Sequence, residues 1–350
     1  MTTFHHALRR RFVFRSLAAW LAAGSMATAA MPVALAQEGS AAAASRTPTG
    51  KVPAAVSVLS IVEHPSLDAL RDGLHDELKD AGYQDGKSLH WAYQSAQGNQ
   101  GTAVQIARKF VGDRPDVIVP IATPAAQAVV SATHQIPVVY NAITDPIAAQ
   151  IVKSMAPSGT NVTGVSDKLV AERQVAFIKR VVPDAKRVGI IYSPAEANSV
   201  SATREMKVAL EKQGISLVEV AAPRSIDVGQ AAQRLVGKVD VIYTSNDNNV
   251  ISAYESVIKV ANAAKIPLIC ADRSSVQRGA TGAMAIDYYR MGRQTGRMVL
   301  RILNGEKPGD IASETSDRLD ITLNLDAARR QGATLSPELQ AEASEIFGKP

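Results

Sequence analysis

The sequence predicts an α/β protein made of two similar Rossmann-like lobes, each a parallel sheet with helices on both faces. Three observations predict it. Short, β-rich apolar runs alternate with helical segments, the pattern of a parallel sheet covered on both sides. The order of these runs repeats in the second half at an offset of about 130 residues. About 300 residues remain once the N-terminal leader is set aside, which suits two domains better than one.

The leader comes first. Arg9, Arg10, Arg11 and Arg15 precede an apolar stretch from Leu17 to Leu35, and Ala34-Leu35-Ala36 offers a small-x-small cleavage site before Gln37. Residues 1–36 therefore read as a secretory signal peptide, with an N-terminal membrane anchor as the alternative, and the expected location is the periplasm. "RRRFVF" partly matches a twin-arginine signal, so either export route is open. The absence of Cys near the cleavage site argues against a lipoprotein anchor. Residues 37–50 are small and polar and read as a disordered tether. No later run is long and apolar enough to suggest a membrane span.

In the first half, "PAAVSVLS" (53–60) reads as a strand. Leu67, Leu70, Leu74 and Leu78 then mark one face of a helix that ends near Gly82. "SLHWAYQ" (88–94), the end of "FVGDRPDVIVPIAT" (110–123) and "QIPVVYNA" (135–142) supply further strands. The second half repeats the order with "AKRVGIIYS" (185–193), a helix carrying Met206 and Leu210 that ends near Gly214, "ISLVEVA" (215–221), "LVGKVDVIYTS" (235–245) and "KIPLICA" (265–271).

Ligands of open parallel sheets sit beyond the carboxyl ends of the strands. The loops to read are therefore Ser60–Pro65, Ala122–Pro124, Asn141–Pro146, Tyr192–Ser199, Thr244–Asn249 and Ala271–Ser275. Four of them pair a polar residue with Pro: His64-Pro65, Thr123-Pro124, Asp145-Pro146 and Ser193-Pro194. Such pairs read as helix starts, the polar residue capping and Pro entering the first turn. Capping alone would account for Asp68, and it competes with ligand binding as the reading of His64 and Asp145. The two are compatible, because free N–H groups at converging helix starts suit an anion such as a carboxylate.

Charge and chemistry narrow the function classes. The chain has 38 Lys+Arg against 33 Asp+Glu, and without the leader's four Arg the count is 34 against 33. No basic stripe suggests nucleic acid. Only His64, His75, His90 and His134 follow the leader, none paired at metal-ligand spacing. No G-x-S-x-G, Walker A or G-x-G-x-x-G motif is present. The single Cys270 reads as a buried apolar residue. Neither an enzyme, a cofactor nor a metal is expected, and a two-lobed binding protein is.

Several motifs carry a family resemblance over nearly all of residues 52–347: "EHPSLDALRDGLHDELKDAGY" (63–83), "IATPAAQA" (121–128), "ITDPIAAQIV" (143–152), "NVTGVSD" (161–167), "IIYSPAEANS" (190–199), "AIDYYRMGRQTG" (285–296) and "DITLNLDAARRQGATL" (320–335). The chain resembles periplasmic substrate-binding proteins of ABC importers with the type I fold, and is most similar to the subfamily associated with tryptophan and other aromatic amino acids. The resemblance implies a first lobe of residues 51–165 plus 280–310 and a second of 166–279 plus 311–350. It places the hinge near Gly164–Ser166, Arg278–Gly282 and after Pro308. It implies a small zwitterionic ligand, an ABC permease and its ATPase as partners, no membrane insertion, and a monomer. The alternative is a sensor that presents its closed form to a signalling partner.

Family ligand positions match Thr123, Asp145, Tyr192, Asn198, Ser199, Asp247 and Asp287; with Ser60 and His64 from the strand-end loops, these are the candidate binding residues. Thr123 is expected to meet a carboxylate. Asp145, Asp247 or Asp287 would meet an ammonium, although Asp145 reads equally as a cap and "SNDNN" around Asp247 as a solvated turn. Tyr192 and Tyr140 would flank a ring. Ser193 departs from the family's usual Asn or Thr, and a ligand smaller or more polar than tryptophan fits that change.

Overall fold

A computed structural model describes residues 48–316 and 318–349. The expected signal peptide and residues 37–47 of the expected tether lie outside the described residues. The end of that tether stretch is packed, contrary to expectation. Lys51 N–H donates to Leu303 O at 2.9 Å, and a Cβ on Gly50 would stand 2.7 Å from Leu303 O and 2.8 Å from the Tyr83 hydroxyl.

Among the described residues the chain forms two sheets. The first contains β1 (Ala54–Ser60), β2 (Leu89–Ser95), β3 (Val117–Ile121), β4 (Val138–Asn141), β5 (Val162–Ser166) and β11 (Glu314–Thr315). Their order is β11-β5-β4-β3-β1-β2, all parallel. The second contains β6 (Arg187–Tyr192), β7 (Ser216–Ala221), β8 (Val241–Thr244), β9 (Leu268–Asp272), β10 (Gly282–Ile286), β12 (Leu319–Asn324) and β13 (Glu345–Phe347). Their order is β13-β12-β10-β9-β8-β6-β7, with β12 antiparallel to β10.

Helices α1 (Pro65–Asp80), α2 (Gln100–Asp113), α3 (Thr123–Ala132) and α10 (Tyr288–Leu303) pack on the first sheet. The second lobe carries α4 (Ala171–Val181), α5 (Ala197–Glu211), α6 (Val228–Leu235), α7 (Asn248–Ser252), α8 (Tyr254–Ala264), α9 (Arg273–Arg278), α11 (Leu325–Arg330) and α12 (Pro337–Glu342). The apolar runs are continuous because the sheets are buried on both faces. In the second lobe Val188 and Ile190 join one core and Ile191 and Ile242 the other. The leucine stripe Leu70, Leu74 and Leu78 is fully buried.

The architecture is that of the type I periplasmic binding proteins. Strand pairing corrects the expected lobe boundaries in two places. Gly282–Ile286 belongs to the second sheet, between β9 and β12, and the chain crosses back to the first lobe only at Asp287, where α10 begins. Glu314–Thr315 pairs with β5 in the first sheet, so the last crossing falls between Thr315 and Leu319. The expected division came from the family resemblance alone, and a short apolar run such as "GAMAI" does not itself say which sheet it joins.

The four expected helix starts divide. His64 caps α1, its Nδ1 accepting from Leu67 N–H at 3.5 Å. Thr123 and Pro124 open α3, but Thr123 is already inside the helix and Ala122 holds the cap position without a side-chain bond. Asp145 caps a single turn rather than a helix, its Oδ1 accepting from Ala148 N–H at 2.8 Å. After Ser193-Pro194 the helix waits until Ala197, because Glu196 rather than Ser193 is the residue before it.

Candidate functional site

The strand ends of the two lobes face one another. Ser66, in the first turn of α1, donates to Asp272 Oδ1 at 2.8 Å at the end of β9. Gln100 Nε2 donates to Ala195 O at 3.3 Å, and Thr144 Oγ1 donates to Asp167 Oδ1 at 3.0 Å. The residues between these contacts carry an unusual number of buried polar atoms with no partner in the protein, and such atoms are costly unless something meets them.

On the first lobe these atoms lie at helix starts. His64 is 6 % exposed, and burial pushes its pKa down to about 4, with Asp272 opposing and Arg278 reinforcing the shift. The ring is therefore neutral. Its Nδ1 is the acceptor for Leu67 N–H, so the proton sits on Nε2, which has no partner. The Thr123 hydroxyl at the start of α3 and both amide atoms of Asn141 at the end of β4 are likewise buried and unpartnered. Ala122 at φ 72° and Ala142 at φ 55° occupy backbone regions that side chains disfavour, at the ends of the same two strands. Strain of this kind persists where surrounding structure imposes it, typically around a site. The α3 N-terminus, uncapped, thus offers N–H donors beside a free hydroxyl.

On the second lobe the free atoms include the amide oxygens of Asn198 and Asn246, which two buried carboxyl groups orient, besides Gln174 Oε1 and the hydroxyls of Thr203, Ser245 and Ser275. Asn246 Nδ2 donates to Asp167 Oδ2 at 2.9 Å, which leaves Asn246 Oδ1 unpartnered. Asn198 Nδ2 donates to Glu196 Oε2 at 3.1 Å and to Asn246 O at 2.9 Å, which leaves Asn198 Oδ1 unpartnered. Asp167 also accepts from Tyr288 Oη at 2.7 Å; burial raises its pKa against these hydrogen bonds. Burial, with the neighbouring Asp247 charge, pushes Glu196 up to about 7. Carboxylates behind outward-facing carbonyl oxygens suit a cation.

The sequence-predicted residues fall into three groups. His64, Thr123 and Asn198 present free polar atoms between the lobes. Ser60, Ser199, Asp145, Asp247 and Asp287 are engaged within the protein. Ser60 Oγ donates to Val62 O at 2.7 Å. Asp247 is fully buried rather than a solvated turn, and binds the Ser193 N–H and hydroxyl, the Ser199 hydroxyl at 2.5 Å and Val250 N–H. Asp145 meets Lys168 Nζ at 3.2 Å and Ser201 Oγ at 3.3 Å. Burial alone would raise its pKa, but the Ala148 N–H, Lys168 and Ser201 hold it below the usual carboxylate range. Asp287 caps α10, accepting from Arg290 N–H at 3.0 Å. Tyr192 is half-buried at the end of β6. Tyr140 is not a cleft residue: it is fully buried against Gly164, where a Cβ would stand 2.5 Å from its ring. Cys270 is fully buried.

Asp167, Glu196, Asn141 and Asn246 were missed. All four sit within the strand-end loops or at a crossing, so position was the available signal. Which side-chain atoms remain free depends on donors that arrive from elsewhere in the fold.

The model of the family described as "ABC transporter substrate binding protein" matches residues 55–347, and the chain belongs to that family. It is 39% identical over 274 residues to a tyrosine-binding protein of Clostridioides difficile, spanning 78% of this chain and 79% of that one. A crystal structure of an ABC domain in complex with L-Trp from Streptococcus pneumonia superposes with a TM-score of 0.81 at 33% identity, over 84% of this chain and 99% of that one. The ligand-free, open structure of a substrate-binding protein with adhesive properties from Clostridium difficile gives 0.65 at 37% identity, over 85% of this chain and 100% of that one.

Proposed function

We propose that this protein is an extracytoplasmic receptor for a zwitterionic α-amino acid, with tyrosine and tryptophan as its class, and that it delivers this ligand to an ABC permease by hinge closure. The observation that carries the reading is the opposition of charge preference across the cleft. His64 Nε2–H, the Thr123 hydroxyl and the α3 start are donors for a carboxylate, while Asn198 Oδ1 and Asn246 Oδ1, backed by Glu196 and Asp167, are acceptors for an ammonium. The ring class rests on the tyrosine-binding relative and the L-Trp complex.

Hinge closure is supported by the contacts across the cleft. The chain also superposes better on the ligand-bound relative than on the open one, despite lower identity to the former. The leader of residues 1–36 accords with a receptor outside the cytoplasm, and no helix among the described residues is long and apolar enough to cross a membrane.

Calorimetric titration with the twenty amino acids tests this directly. L-tyrosine or L-tryptophan should bind, and Thr123→Val should weaken that binding by about 10- to 100-fold, the loss of a hydrogen bond to a charged group. The free protein's melting temperature should not fall, because the hydroxyl has no internal partner to lose. If the parent binds none of the twenty, the amino-acid assignment fails.

A further inference from the structure

A cavity of about 220 Å³ opens between the lobes where the outer strands β2 and β7 end. Ile61, Pro124 and Pro223 give it apolar walls, and Gln97, Gln100 and Glu196 give it polar ones. It adjoins the donor end of the site, since Pro124 follows Thr123. It also adjoins the acceptor end, since Glu196 holds Asn198. Its size is several times the ~30 Å³ share of one water.

Glu196 is 6 % exposed, yet only one of its oxygens is used. Oε2 accepts from Asn248 Nδ2 at 2.7 Å, Asn198 Nδ2 at 3.1 Å and Asn248 N–H at 3.4 Å. These bonds fix the carboxyl plane. Oε1 accepts no hydrogen bond among the described residues and is not among the sealed, unpartnered atoms, so it is the part of Glu196 that reaches the cavity. Arg224 across the cavity is paired with Asp227 at 3.0 Å, and Asp247 behind is filled by serine and backbone donors. Oε1 is thus the carboxyl oxygen on this cavity wall that accepts nothing among the described residues, beside the equally unused amide oxygens of Gln97, Gln100 and Asn249.

We propose that this cavity is the side-chain subsite of the receptor and that Glu196 Oε1 selects an aromatic side chain bearing a hydrogen-bond donor at its far end, a phenol O–H or an indole N–H, over a plain phenyl ring. The proposal rests on the amino-acid reading given above. A built acceptor discriminates by being left unpaired when the donor is missing, which apolar walls alone do not achieve. Burial and the Asp247 charge push Glu196 up to about 7, so Oε1 acts as an ionised acceptor above that pH, where the competition is to be run.

The test is competition among L-tyrosine, O-methyl-L-tyrosine and L-phenylalanine on the full-length mature protein, by calorimetry. The parent should bind L-tyrosine about 10- to 100-fold more tightly than either of the others. In Glu196→Gln the amide oxygen should stay with the asparagine donors and turn its NH₂ to the cavity. The preference should then shrink to within about threefold, which reads the loss of one hydrogen bond to a charged acceptor. Glu196→Asp, which keeps the charge but withdraws the oxygen by one methylene, should lose the preference in the same direction. Equal binding of all three ligands by the parent overturns this inference and leaves the amino-acid reading standing. So does a preference that survives in both folded variants, which would move the recognition to another buried acceptor such as Gln174 Oε1. Binding of none of the three overturns this inference, and binding of none of the twenty amino acids overturns the amino-acid reading as well.

Discussion

His64 and Glu196 make opposite contributions to the pH dependence of stability. Burial lowers His64 from 6.5 to about 4, so below pH 6.5 the unfolded chain takes up a proton that the folded one refuses, and stability falls as pH falls towards 4. Burial raises Glu196 from 4.5 to about 7, so its contribution is fully present below pH 4.5 and is lost as pH rises through 7. Between pH 4.5 and 6.5 the two offset. Glu196→Gln removes the second term. Its unfolding free energy relative to the parent should increase by roughly 3 kcal/mol from pH 4.5 to 7 in denaturant titrations. His64→Asn, which keeps a capping side chain, should do the reverse, gaining relative to the parent as pH falls below 6.5. Parallel curves for all three proteins would mean that neither group titrates as its burial implies. At this scale the sequence was readable only in part. His64 and Thr123 were accessible because a polar residue before Pro after a strand marks a helix start. Asp247 was misjudged because "SNDNN" looks polar in sequence, whereas Ser193, Ser199 and Val250 saturate its carboxylate and permit full burial.

Helices α1 and α10 meet backbone to backbone. A Cβ on Gly73 would stand 2.1 Å from Tyr289 O, one on Gly292 2.0 Å from Leu70 O, and one on Gly296 2.4 Å from Glu77 Cβ. The contact joins an N-terminal helix to one that enters the lobe after the second crossing, so it fastens distant parts of the chain into one fold. Gly292→Ala forces the helices apart and should cost about 1–3 kcal/mol, the range for overpacking, although alanine is the better helix former. A chemical melt of the ligand-free protein measures it. A neutral or stabilising effect would mean that the helices separate freely. The glycines of "MGRQTG" stood in plain sight, but their spacing names no partner. Strands were easier, since continuous apolar runs such as "VGIIY" can be buried on both faces only in a parallel sheet. The antiparallel β12 was not read, because return of the chain to the same edge is a property of three-dimensional pairing.

At the scale of the molecule, the three crossings lie side by side near Asp167, Asp287 and the stretch after Thr315, while the cross-cleft contacts lie farther along the strand ends. On the proposed closure reading, that geometry would serve as a hinge with a latch. Ser66 donates to Asp272 Oδ1 at 2.8 Å and pairs with Ser274 Oγ at 2.7 Å, and Lys168 bridges Asp145 and Glu205. A ligand that bonds to both lobes favours the closed form by its differential affinity, and a latch adds to the same equilibrium. Removing one latch bond should therefore shift the open–closed balance without touching either core. Ser66→Ala should weaken amino-acid binding by about 3- to 10-fold, the worth of a net hydrogen bond of ~1 kcal/mol. The loss should appear mainly as faster dissociation, and the ligand-free melting temperature should change little. Small-angle scattering separates this from direct damage to the site. The parent should compact on saturation with ligand, and the variant should reach the same compact radius of gyration at higher ligand concentration. A parent whose radius of gyration is unchanged at saturation would overturn the hinge, and a variant with parental dissociation kinetics would remove Ser66 from the latch.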